Sequence, residues 1–295
     1  MIRLLALLLL TSLAACATAT QPGRPAFASE RIGVAVQGQG PDVVLIPGLS
    51  SSPQVWQSTI QAVPGYRYHV VHVSGFAGRA PGANANGPVV EPVGEEIARY
   101  IREAGLRRPA IVGHSLGGLW GMMIAARHPE LVSRVMVVDM VPFLGAMLAG
   151  PGATSETVRQ MAAQFRQRIA SSTGPQRDAM AKSTIDTMVR TEALRPQALR
   201  HSLDSDSFVW GQAMYDLITT DLTPELRNIR APMTVLWVRA PGAPVTEEQM
   251  AGFYRSAYEG AAHARLLRVP NAYHFIMWDE PAAFQRELRS FLGGS

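Results

Sequence analysis

The sequence predicts an α/β protein: a doubly wound, mostly parallel sheet with an inserted helical cap. Three observations carry that prediction. Short β-branched or apolar segments alternate with amphipathic helical ones along most of the chain. Several strand segments, "RVMVV" and "MTVLWV" among them, are apolar almost throughout, as strands covered on both faces are. One long interval, residues 143 to 220, has helical spacing and no convincing strand.

The elements follow in order. "IGVAVQG" alternates apolar with small or polar residues and predicts an early strand, and Val43 to Ile46 is a second strand between turn residues. "QVWQSTIQAV" has helical spacing, and "YRYHVVHVSG" is a β-branched strand. "VGEEIARYIREAG" is an amphipathic helix, with Ile97 and Ile101 four apart and Gly105 as its stop. "RPAIVGH" is a strand that runs into the helix "LGGLWGMMIAARH". "SRVMVVDM", "PMTVLWVRA" and "ARLLRVP" complete the strands, and "PAAFQRELRSFL" is a closing helix. Within the interval, "ETVRQMAAQFRQRIASS", "QRDAMAKSTIDTMVR" and "SFVWGQAMYDLITTDL" are helical. The expected organisation is a core of residues 31–142 and 221–295, with a cap of residues 143–220.

With 295 residues, 47% hydrophobic and 17% charged, the chain has the composition of a globular protein with a large core. The formal charge of +4 comes almost wholly from arginines, Lys182 being the only lysine. They are scattered singly, without the stripe that tracks a phosphate backbone, which argues against nucleic acid as a partner. Residues 1–15 have the short positive head and apolar run of a secretory signal. Leu13-Ala14-Ala15-Cys16 resembles the lipobox of bacterial lipoproteins, which implies acylation of Cys16, a membrane anchor and export to the cell envelope, on its periplasmic side or surface. Residues 16–30, small and polar with two prolines, are expected to be a tether. Cys16 is the only cysteine, so no disulfide forms within the chain.

The chemistry centres on Gly113-His114-Ser115-Leu116-Gly117. A G-x-S-x-G pattern between a strand and a helix marks a turn so sharp that its central residue is strained, and glycines two positions away relieve the crowding. Ser115 is thereby left exposed above the carboxyl ends of the strands, with a helix N-terminus aimed at it. Together with "GLSSSPQVW", "ARHPELVSRVMVVD" and "PELRNIRAPMTVLW", this motif resembles the α/β-hydrolase fold superfamily, in its capped form, over residues 31 to 293.

The resemblance implies a serine nucleophile, Ser115, and a histidine base soon after the last strand. His274, in "VPNAYHFIMWDEP", stands there; the other six histidines lie in predicted strands, helices, the elbow or the approach to the last strand. It also implies an oxyanion hole made by the N–H of Leu116 and one from the loop after the second strand. That loop has Pro47-Gly48 where the family usually has His-Gly, so the second donor is expected to be Leu49. From their places next to the expected site, Met140, Phe143 and Phe275 are the expected pocket residues, and the methionines of the cap are core filler or the lining of an adaptable acyl pocket.

In one place the chain departs from the family. The aspartate usual after the strand "MTVLWV" is missing: Pro241 stands there, and no acid occurs before Glu247 and Glu248. Asp139, at the end of "RVMVVD", is the expected third residue, since some members place their acid there; Glu247, Glu248 and a Ser–His dyad are the alternatives. No metal or other cofactor is expected: Gly38-Gln39-Gly40 lacks the third glycine of a dinucleotide fingerprint, and no histidine or carboxylate spacing suggests zinc. The implied activity is cleavage of small, largely apolar carboxylic esters through an acyl-enzyme. Alternatives are amide cleavage like that of proline iminopeptidases, with Asp204, Asp206 and Asp216 as candidates to hold an amine, lactone hydrolysis, or a non-catalytic binding lipoprotein.

Overall fold

The computed structural model describes residues 27–150, 152–239, 242–261 and 263–293. Seven strands form one sheet: β1 (Ile32–Gly38), β2 (Asp42–Ile46), β3 (Arg67–Val73), β4 (Ala110–His114), β5 (Arg134–Val138), β6 (Met233–Trp237) and β7 (Arg265–Arg268). Their order is β1-β3-β2-β4-β5-β6-β7, parallel except for β1, which pairs antiparallel with β3 at the edge. The doubly wound architecture expected from the sequence is therefore present.

The central strands are apolar on both sides because both sides are covered. Val44 and Ile46 of β2 pack with α2 (Val90–Glu103) and α3 (Leu116–Arg127) on one face, while Val43 and Leu45 share the other with α1 (Gln57–Ala62), α10 (Ile276–Asp279) and α11 (Pro281–Gly293). α2 is amphipathic, burying Val90, Val93, Ile97 and Ile101. α3 is buried from Leu116 to Ala126, which explains why it carries no polar face.

The winding positions the site. From β2 the chain moves outward to β3, then returns to lay β4 on the other side of β2. A crevice opens above the carboxyl ends of two strands where the winding reverses, here β2 and β4. The loops that leave those ends carry Leu49 and Ser115.

Among the described residues between β5 and β6 stand five α-helices: α4 (Leu144–Ala149), α5 (Arg159–Ser171), α6 (Gly174–Met188), α7 (Arg195–Leu203) and α8 (Ser207–Thr219). Three of them match the helical stretches read from the sequence. α7 starts with Arg195-Pro196, where proline's missing N–H costs nothing, and α8 is capped by the Asp206 side chain on the Val209 N–H at 2.9 Å.

The expected signal segment, Cys16 and most of the tether lie outside the described residues. Residues 27–30 of the expected tether are tied to the fold, with Ala28 and Glu30 exposed. The Phe27 ring meets Tyr100 edge-on at 4.9 Å and lies under the Arg99 guanidinium, which also donates to the Ala28 carbonyl at 2.8 Å.

Candidate active site

β4 delivers the chain into a turn at Ser115, and α3 leaves from the next residue. Ser115 has φ 53° and ψ −124°, a strained conformation for a residue with a side chain. Hydrogen bonds on both sides hold it there. Its N–H donates to the Val138 carbonyl at 2.9 Å, and its carbonyl accepts from the Gly118 N–H at 2.7 Å. Distance explains the flanking glycines: a Cβ on Gly113 would stand 2.0 Å from the Gly117 carbonyl oxygen, and one on Gly117 2.1 Å from that of Ile46.

His274 follows β7 and lines the same cavity as Ser115. Its Nδ1 lies 2.6 Å from Asp139 Oδ2. A carboxylate accepts, so Nδ1 carries the hydrogen, which leaves Nε2 as the free acceptor. Asp139 comes one residue after β5, with φ 54° and its N–H donating to Leu236 O at 2.8 Å. That left-handed conformation, which aspartate tolerates better than most residues, turns the carboxylate off the strand path. The second oxygen, Oδ1, accepts from the Val238 N–H and from the Tyr254 hydroxyl, each at 3.2 Å. Burial, and then the Asp139 charge, push the Tyr254 hydroxyl well above its usual pKa, so it keeps the proton it donates.

His114 fastens the histidine loop from below. Its Nε2–H donates to the His274 carbonyl oxygen at 3.0 Å, and its ring centre lies 4.6 Å from those of His274 and Phe275. Burial first, and the neighbouring His274 second, hold His114 well below the ordinary histidine pKa, so it is neutral. A second fastening comes from the cap. The Phe275 N–H donates to the Met188 carbonyl at 3.2 Å. The buried Asp279 carboxylate accepts from the Tyr273 N–H at 2.9 Å and from Arg190 and Thr191 N–H at 3.1 and 2.9 Å. One side chain thus ties the end of α6 to the loop that carries His274.

A cavity of about 810 Å³ lies between the strand ends and the cap, with Ser115, His274 and Asp139 in its wall. Of the expected pocket residues, Met140 and Phe275 line it. Phe143 does not, a correction to the sequence reading. Its side chain turns into a separate cluster with Val158, Ala162 and Ile218, because α4 starts at the next residue and Leu144 takes the place on the cavity wall. Leu49 lines the cavity, and its N–H has no acceptor among the described residues. Leu116 is wholly buried, and as the first residue of α3 its N–H belongs to the turn that no helical carbonyl serves.

The other carboxylates considered for His274 are engaged elsewhere. Glu247 opens α9 (Glu247–Ala257), which Thr246 and Gln249 cap reciprocally, and pairs with Arg268 at 3.0 Å. Glu248 pairs with Arg255 at 2.8 Å. Pro241 lies outside the described residues. Sequence reasoning missed Tyr254 and Asp279. A tyrosine on the buried face of an amphipathic helix looks like core. Asp279 looks like a solvent acid, and the one available signal was its place between Trp278 and Pro281 just after the histidine loop.

The chain belongs to the alpha/beta hydrolase family, whose sequence profile matches residues 43–287. It is a hydrolase by that membership. It is similar to the pimeloyl-[acyl-carrier protein] methyl ester esterase of Vibrio cholerae, 30% identical over 212 residues, which is 70% of this chain and 78% of the relative. Among solved structures it resembles an esterase from Exiguobacterium antarcticum, with TM-score 0.72 and 21% identity over 89% of this chain and 96% of that one. An enol-lactonase from Burkholderia xenovorans superimposes with TM-score 0.70 at 18% identity, over 89% of this chain and 96% of that one. At such identities the two structures speak for the fold alone.

Proposed function

We propose that the chain is a carboxylic ester hydrolase that works through a serine acyl-enzyme. Ser115 Oγ attacks the carbonyl carbon while its proton passes to His274 Nε2, and the Leu49 and Leu116 N–H groups hold the oxyanion. The bond to the leaving alcohol then breaks as Nε2 returns the proton to it. Water frees the acid by the same two half-steps. Asp139 orients the imidazole and stabilises its charged form. The observation that supports this reading is the 2.6 Å contact between His274 Nδ1 and Asp139 Oδ2, beside a strained Ser115 in one cavity. The name of the Vibrio cholerae relative, a methyl ester esterase, supports the ester part.

Amide cleavage needing an acidic grip on an amine has less support. Asp206 caps α8, and Asp216 accepts the Val89 N–H at 2.6 Å and the Val90 N–H at 3.1 Å. Neither of them, nor Asp204, lines the cavity. The test pairs a fluorophosphonate probe with p-nitrophenyl esters and aminoacyl anilides. Labelling and ester turnover that both disappear in Ser115→Ala support the proposal. Ser115-dependent turnover confined to anilides, or no labelling at all, would refute it.

The proposal includes export as a lipoprotein of the cell envelope, acylated at Cys16, with the cap formed by residues 143–220. Cys16→Ser should move the protein from the membrane fraction to the soluble one. Unchanged fractionation would count against the anchor.

A further inference from the structure

The cavity has more room than a small ester fills, and its mainly apolar wall is shared by the polar side chains of Ser50, Ser51, Ser172, Gln176, Thr184 and Ser202. Its 810 Å³ lies toward the upper end of the roughly 300–1,000 Å³ of ordinary ligand pockets. Six methionines stand in its wall: Met140, Met147, Met180, Met188, Met214 and Met250. They come from the loop after β5, from three cap helices and from α9, so much of the cap side of the space has an unbranched, adaptable surface. Beyond Asp139, His274 and His114, the one titratable cation or carboxylate among the described lining residues is Arg168, which is exposed. No buried charge waits there for an ionic group.

The exposed part of the lining is mixed, with Arg168, Gln176 and Ser183 standing beside two large apolar side chains. Met147 of α4 and Phe165 of α5 both line the cavity, yet they stand 37% and 39% exposed to solvent. Large side chains of this kind at a mouth lower the cost of passing an apolar chain from water into the interior. The rest of the exposed large apolar surface is small and scattered, apart from Leu148, the neighbour of Met147.

We infer that the substrate is an ester bearing a long, uncharged, flexible alkyl chain, which enters past Met147 and Phe165 and lies along the methionine wall. This rests on the ester-hydrolase reading and extends it to a substrate class. The chain belongs to either the acid or the alcohol, since the same apolar recognition serves both, and the experiment separates them.

Two substrate series on the full protein test the inference: p-nitrophenyl esters from acetate to decanoate, and acetates of alcohols from ethanol to octanol. In one series kcat/KM should climb by about threefold to fourfold per added methylene until the cavity is filled. The series that climbs identifies the side that bears the chain. Phe165→Asp, an exposed position whose folding circular dichroism can check, should lower the ratio of long-chain to acetyl turnover about tenfold. Flat or falling rates in both series, with Ser115-dependent hydrolysis of acetate, would overturn the inference and leave the hydrolase reading intact. Ser115-dependent turnover of no ester would overturn both.

Discussion

His274 Nδ1 and Asp139 Oδ2 meet at 2.6 Å, although the two residues lie on loops from opposite ends of the parallel run β5-β6-β7. The contact spans β6 because the Asp139 carboxylate turns sideways over that strand, with its own N–H on Leu236 and its Oδ1 on the Val238 N–H. Asp139→Asn should therefore lower kcat by about four orders of magnitude with folding intact, because an amide favours the wrong imidazole tautomer. Glu247→Gln, which removes only an exposed pair with Arg268, should leave kcat within about twofold. Steady-state kinetics of the two variants, with circular dichroism, check this; the opposite ranking would move the acid to α9.

Tyr254 donates to the Asp139 oxygen that does not face His274, and it does so from full burial. Tyr254→Phe keeps the ring that stacks on Trp237 at 5.1 Å and removes only the hydroxyl. A hydrogen bond to a charged acceptor is worth about 1.5–3 kcal/mol, so kcat should fall about tenfold or more. KM should hold, because the change acts on the orientation of the carboxylate. A variant that changed KM alone would place Tyr254 in the pocket wall and nothing more.

The frame of this molecule was legible because its strands are written locally. "VVLI" and "RVMVV" are apolar on both faces, and both are strands of the covered sheet. The serine turn was legible for the same reason: Gly113 and Gly117 are needed by contacts within a few residues or with the adjacent strand. Which carboxylate meets His274 was not decidable from spacing, since that depends on how β5 and β6 lie in register. Phe143 was misplaced because α4, six residues long, has too few turns to reveal its period. Asp279 was missed because its three partners are backbone N–H groups, which leave no trace in side-chain pattern.

Four histidines outside the His274 pair should give stability a pH dependence whose sign follows from their burial. Burial lowers the pKa of His69, His72 and His114, and burial with the nearby Arg200 lowers that of His201 to about 4. When the folded pKa lies below the unfolded value near 6.5, acidification protonates the unfolded chain first. The contribution of His201 is thus complete above about pH 6.5 and is lost as pH falls toward 4. Melting temperature should decline through that window, and His201→Gln should flatten part of the decline. A slope identical to that of the parent would remove His201 from the account.

Asp279 supports the histidine loop and the cap with one carboxylate, so its loss should be felt in both. In Asp279→Asn one accepting oxygen becomes a donor facing backbone N–H groups that already donate. Each donor left unmet in a buried site costs about 1–3 kcal/mol. The variant should lose at least about 2 kcal/mol in urea unfolding. It should also lose kcat, because Tyr273 and Phe275 flank His274 and both are held to this junction. Glu280→Gln is the matched control: it breaks only the exposed Arg190–Glu280 pair at 3.1 Å, which should cost less than about 1 kcal/mol. If the two variants unfold at the same urea concentration, the junction is not what holds the histidine in place.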